Sequence, residues 1–170
     1  MTPRVKRITG ILFPNHELLT WSIGRLSALW GEPELVSGPV AFDKTDYYHE
    51  IAPELWRVFV SFPGLVNPEG LADWKHDAIE IETQSRQPVR AVNIDPGYVD
   101  GARLVLASTK DHAHRIYLRD GIFAEVTMRY RFKKWQSFDY TFPDFASGVY
   151  DEFMSGVRKL WLQEVKECVN

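Results

Sequence analysis

Apolar and polar residues alternate loosely over Val5–Phe13, which predicts a first strand. The period then changes. Leu18, Leu19, Ser22, Leu26, Leu29 and Trp30 recur at helical spacing, and Gly31 with Pro33 closes the run. Asn15 is placed to accept the free N–H groups of that helix, and Glu17 suits its positive start. A strand over Leu35–Phe42 is predicted next, held to an edge or a bulge by Pro39. In "WRVFVSF", Trp56, Val58, Val60 and Phe62 share one predicted face. Asn67 and Pro68 open a second helix, with Leu71, Trp74, Ala78 and Ile81 as its core stripe. With Ala91–Asp95 as the next strand, the order is β-α-β-β-α-β, the ferredoxin-like pattern.

The rest reads as a meander. Strands are predicted at Ala102–Ser108, His114–Arg119, Ile122–Phe132 and around Trp135–Tyr140, with a tight turn at Arg119–Gly121. Within "AEVTMRYRF", Ala124, Val126, Met128, Tyr130 and Phe132 are expected on one face, and Glu125, Thr127, Arg129 and Arg131 on the other. "NIDPGYVDG" reads as turn chemistry around Pro96 and Gly97, with Asp95 bonding backbone N–H groups. A final helix over Val149–Cys168 buries Tyr150, Phe153, Val157, Leu160, Trp161 and Val165. The expectation is one α+β domain spanning residues 1–170, a ferredoxin-like βαββαβ order extended by an antiparallel β-meander and a C-terminal helix.

Composition narrows the partners more than the fold. A formal net charge of −3 gives no basic excess for bulk nucleic-acid binding, so nucleic acid is not the expected partner. The lone Cys168 excludes an internal disulfide and a multi-cysteine zinc site. No window approaches the roughly 18 apolar residues of a membrane span, and "MTPRVKRITGILF" lacks the features of a signal peptide. The cytoplasm is the expected location.

Candidate chemistry gathers in the meander. Lys110, His112, His114 and Arg115 place four potentially cationic groups within six positions, suited to phosphate or carboxylate. His112 and His114 would share one side of a strand, but two imidazoles make no metal site without further ligands, so no metal or cofactor is expected. Glu125 and Arg129 lie on the charged face of the longest predicted strand. Asp46 and Tyr47, in "FDKTDYY", are further candidates. The P-loop, G-x-S-x-G, G-x-G-x-x-G and H-E-x-x-H patterns are all missing.

The blocks "GPVAFDKTDYY", "FVSFPGLVNPEGL", "VNIDPGYVDGARLVLASTKD", "HRIYLRDGIFAEVTMRY" and "YTFPDF" resemble, in order, a bacterial family catalogued as domain-of-unknown-function family 4416. The family brings no established reaction. The resemblance implies that its Lys-Asp-x-x-His-Arg element corresponds to Lys110, Asp111, His114 and Arg115, with His112 in a variable slot. It shifts the expected site toward Asp95, Tyr98, Lys110, His114, Arg115 and Glu125.

Two functions from different classes fit these residues. One is a binding protein or enzyme for an anionic small molecule, phosphorylated or a nucleotide, with His114 and Glu125 as the acid/base pair. Asp95, Tyr98, Lys110, Arg115, Arg129, Asp46 and Tyr47 would then contact the ligand. The other is a non-catalytic protein–protein interaction module that docks through an aromatic surface. The residues leave open whether the chain is an enzyme. In a regular strand His114 and Arg115 would point to opposite faces, so a shared pocket requires an irregularity at one of them.

Overall fold

The computed structural model describes residues 2–43 and 48–169. Among them, nine strands form one antiparallel sheet, with helices on both faces. β1 (Lys6–Phe13) lies near its centre. It is followed by α1 (His16–Trp30), where Asn15 Oδ1 accepts the Leu18 N–H at 3.0 Å as its sequence position requires. The expected second strand is two short pieces, β2 (Leu35–Val36) and β3 (Val40–Ala41), each pairing with β4 (Trp56–Ser61). Pro39, with no N–H to donate, lies between the two pieces.

Asn67 caps a 3₁₀ turn, Pro68–Gly70, which leads into α2 (Leu71–Ser85). β5 (Asn93–Val99), β6 (Arg103–Ser108), β7 (Arg115–Arg119), β8 (Ile122–Arg131) and β9 (Lys134–Ser137) complete the sheet. A short α3 (Pro143–Ala146) and a long α4 (Asp151–Glu167) follow. The strand order is β2-β4-β1-β5-β6-β8-β7, with β3 also on β4 and β9 also on β8.

Because β1 and β4 are covered on both faces, their apolar residues run almost without interruption. Ile11, Phe13, Val58 and Val60 pack under α1 and α2, while Ile8 and Phe59 pack toward α3 and α4 with Phe145, Tyr150, Met154 and Val157. Trp56, expected on the core face, is exposed where β4 begins.

Two readings of the meander need correction. β5 runs straight through Pro96 and Gly97, so "DPG" is strand and the turn comes later, at Asp100. There the Asp100 carboxylate accepts the N–H groups of Ala102 and Arg103 at 2.7 and 2.9 Å. In β8 the alternation does not hold along its length. The β6–β8 register steps from Leu104↔Met128 to Val105↔Val126, leaving Thr127 as an extra residue. A bulge of this kind flips the phase of every side chain beyond it. Ala124 and Val126 therefore pack on the α1/α2 side, whereas Met128 and Tyr130 pack on the α4 side.

Candidate functional site

The sheet opens between β5 and β6. Their pairing covers only Gly97↔Leu106, Tyr98↔Val105 and Val99↔Leu104, and stops beside Pro96. Gly97 permits the last close contact, since a Cβ there would lie 2.1 Å from the Val105 carbonyl oxygen. Beyond it the strands splay around a cavity of about 420 Å³, into which both faces of the sheet contribute side chains.

One wall comes from α2 and β5. Lys75 Nζ donates to the Ile94 carbonyl at 2.9 Å and to Asp95 Oδ1 at 3.0 Å, while Asn93 Nδ2 holds Asp95 Oδ2 at 2.8 Å. Two turns further along α2, Glu82 accepts the Ile94 N–H at 2.7 Å and pairs with Arg90 at 2.8 Å. Burial would raise the Asp95 carboxyl, but Lys75 and then Arg57 outweigh it and hold it below its ordinary value. For Glu82 the balance is reversed. Burial prevails over Lys75 and Arg90, and its carboxyl is raised. Arg57, only 3% exposed, enters from β4 and is paired with Asp144 of α3, which also accepts the Tyr150 hydroxyl at 2.9 Å. The Arg57 guanidinium lies over Phe42 at 4.5 Å and Phe145 at 5.4 Å.

The opposite wall comes from the ends of β6, β7 and β8. Glu125 is its hub. Glu125 Oε1 meets His114 Nε2 at 2.8 Å and Arg115 Nε at 3.2 Å, and Oε2 accepts the Thr127 hydroxyl at 2.8 Å. Arg115 is fixed further by Ser108 Oγ at 3.1 Å and the Lys110 carbonyl at 2.9 Å. His114 precedes β7 rather than belonging to it, and the Arg115 N–H closes a turn onto the His112 carbonyl at 2.9 Å. That turn removes the strand constraint, so neighbours in sequence reach the same carboxylate. The His114 ring is stacked between Tyr140, 4.0 Å away, and His112, 5.7 Å away, and Phe138 continues the column beyond Tyr140.

The family model described as "Domain of unknown function (DUF4416)" matches residues 3–161. The chain belongs to that family. No curated protein and no solved structure matches it. In this member of DUF4416, the cavity brings together Asp95, Lys110, His114, Arg115 and Glu125 of the residues expected from sequence. Tyr98 is not among them. It packs with the α1/α2 core, where burial and then Asp100 raise its hydroxyl pKa. Arg129 also lies outside the cavity, bonded to Gln136 at 3.0 Å and lying over Phe138. Asp46 and Tyr47 fall outside the described residues. Among the described residues, no group of three or more His, Cys, Asp or Glu is placed to hold a metal ion.

Arg57, Lys75, Glu82 and Arg90 were not expected from sequence. A signal for three of them was present. Lys75 and Glu82 fall in the helical stripe Leu71–Lys75–Ala78–Glu82, where a solvated helix would not place charge on its buried face. Arg57 alternates with Phe59 on the face of β4 opposite Val58.

Chemically, an ionised Glu125 requires Nε2 of His114 to carry the proton, which leaves the lone pair of a neutral ring on Nδ1. The imidazole is therefore fixed in orientation by a hydrogen bond and by stacking.

Proposed function

We propose that this protein binds a small anionic molecule, phosphorylated or a nucleotide, in the cavity between β5 and β6. One observation carries the reading. The lining holds five basic side chains (Arg57, Lys75, Arg90, Lys110, Arg115) and three carboxylates (Glu82, Asp95, Glu125), with Asp144 behind Arg57 as a fourth, in a concave site at an opening of the sheet. Buried ion pairs contribute little net stability, so three of them around one cavity favour a role in recognition over a role in folding. In this reading Lys110 and Arg115 attract the anion, and His114, held by Glu125, gives or takes a proton. The cytoplasm is the compartment we propose, since a phosphorylated ligand is most abundant there.

A thermal-shift series with inorganic phosphate, nucleotides and sugar phosphates tests it, because a ligand of the native state raises the melting temperature. A phosphorylated compound is expected to raise it in the wild type and much less in Lys110→Ala. If none of the series shifts the transition, or Lys110→Ala responds like the wild type, the anion site is wrong.

A second reading rests on the sheet edge. Ile116 and Tyr117 of β7 are 70% and 58% exposed, with Leu118 beside them. β7 pairs with β8 along one edge and ends the strand order on the other, and an edge strand with exposed apolar residues suits a protein partner that adds a strand. This module reading predicts that Tyr117→Lys abolishes partner capture and leaves every ligand-induced shift unchanged.

A further inference from the structure

The β8–β9 hairpin holds a patch that the cavity does not use. From Val126 to Phe138 the sequence has Arg129, Arg131, Lys133 and Lys134 and no carboxylate, although the whole chain carries a net charge of −3. Among the described residues none of these four cations is ion-paired. Two of them also face one another: Arg131 is opposite Lys134 across the hairpin, an arrangement that is destabilising in itself.

The tip adds strain and exposure. Phe132 and Lys133 form the two-residue turn with φ of 52° and 62°, a left-handed conformation that Asn and Gly take easily and a bulky aromatic does not. Phe132 is 73% exposed, with the Arg131 guanidinium lying over its ring at 4.5 Å. An apolar ring at the apex of a hairpin, with cations on both flanks, is stable in water only at a cost. It becomes favourable against a surface that is anionic on the outside and apolar a few ångströms below.

We propose that this hairpin tip is a docking point for a bilayer surface bearing anionic lipid headgroups, with Phe132 entering the interface and Arg131, Lys133 and Lys134 pairing with the headgroups. Such binding needs no spanning segment, and no described helix is long and apolar enough to cross a membrane. A lipid surface is favoured over single-stranded nucleic acid because the tip is convex and carries one aromatic. A nucleic-acid strand needs a groove that follows its backbone and a row of stacking platforms. Each cation near an anionic surface is worth about a fivefold gain in partition.

The test is sedimentation of the full chain with phosphatidylcholine vesicles, either pure or containing 30% phosphatidylserine (about the anionic fraction that gives a substantial surface potential). The expected result is partition onto the anionic vesicles alone, abolished by high salt. The Lys133→Glu/Lys134→Glu variant should reduce it at least tenfold, and Phe132→Ser about fivefold. Both changes are at exposed positions, and an unchanged melting temperature shows that each variant is folded. Equal binding to both vesicle types, no binding to either, or variants that bind like the wild type would each overturn the proposal. So would binding of an oligonucleotide but not of vesicles. Because none of these residues lines the cavity, the outcome is independent of the anion-site reading.

Discussion

The cavity and the β8–β9 tip are both rich in cations, and they treat charge in opposite ways. In the cavity, Lys75, Arg57, Arg90 and Arg115 each meet a carboxylate, and most of these contacts are shielded from water. At the tip the cations project without a carboxylate partner around an exposed Phe132. Buried charge requires pairing because desolvation is expensive, whereas exposed charge remains hydrated and available. The same residue types therefore serve as fixed scaffolding in one region and as an open surface in the other. Mutations should separate the two sharply.

The largest effect is expected at the buried pair. Asp144→Asn leaves the Arg57 charge without its counter-ion at a site 3% exposed, and should lower unfolding free energy by about 4 kcal/mol in urea titrations. The triple variant Arg57→Met, Asp144→Leu, Tyr150→Phe removes every member of the cluster and should recover most of that loss. If Asp144→Asn is nearly neutral, the cavity charges are not the rigid scaffold described above.

Next comes the junction that shapes the cavity. Gly97→Ala places a methyl group 2.1 Å from the Val105 carbonyl oxygen, so β5 and β6 must part where they now meet. A loss of about 2 kcal/mol is expected, in the range of other overpacked cores, together with loss of any ligand-induced thermal shift. Retention of both stability and ligand response would mean that the splay does not depend on this close approach.

Acid titration compares two carboxylates within the cavity itself. Asp95 is held below its ordinary value of 3.8, so its ionised form contributes stability that is complete above that value and lost as pH falls through the folded one. Glu82 is raised above 4.5, so its ionisation removes stability as pH climbs from 4.5 through the folded value. The wild type's advantage over Asp95→Asn should therefore shrink below about pH 4. Relative to Glu82→Gln, the wild type should instead lose ground as pH rises past about 4.5. Parallel stability profiles for the two variants would contradict the opposite environments.

The long elements were legible because each has a single dominant period or a clear stop signal. The α1 cap at Asn15, the tight turn at Asp120–Gly121 and the core stripe of α2 all lie where local chemistry places them. What sequence could not convey was departure from the period. The extra residue at Thr127 shifts Met128 and Tyr130 to the other face with no composition signal, and Pro96-Gly97 has the same letters in a turn as in a strand. For the site, polar residues within a strand pattern pointed to His114, Arg115 and Glu125. Lys75 and Arg57 interrupt apolar stripes, which marks them as unusual, but what they do there is interpretable only once the partner from a distant segment is known.

The smallest effects are expected at the tip, and they bear most directly on the comparison. Reversing charge with Lys133→Glu and Lys134→Glu breaks no ion pair and uncovers no core, so stability should move by no more than about 0.5 kcal/mol. The direction is informative. Arg131 faces Lys134 across the hairpin, so Lys134→Glu turns a repulsive pair into an attractive one and should stabilise slightly at low salt, with the gain screened as salt is added. Replacing Phe132-Lys133 by Asn-Gly relaxes both left-handed residues and should add about 1 kcal/mol. These substitutions would make the folded hairpin more stable while removing the features proposed to engage a lipid surface. A tip that is not improved by Asn-Gly is not strained, and the contrast with the cavity would then reduce to exposure alone.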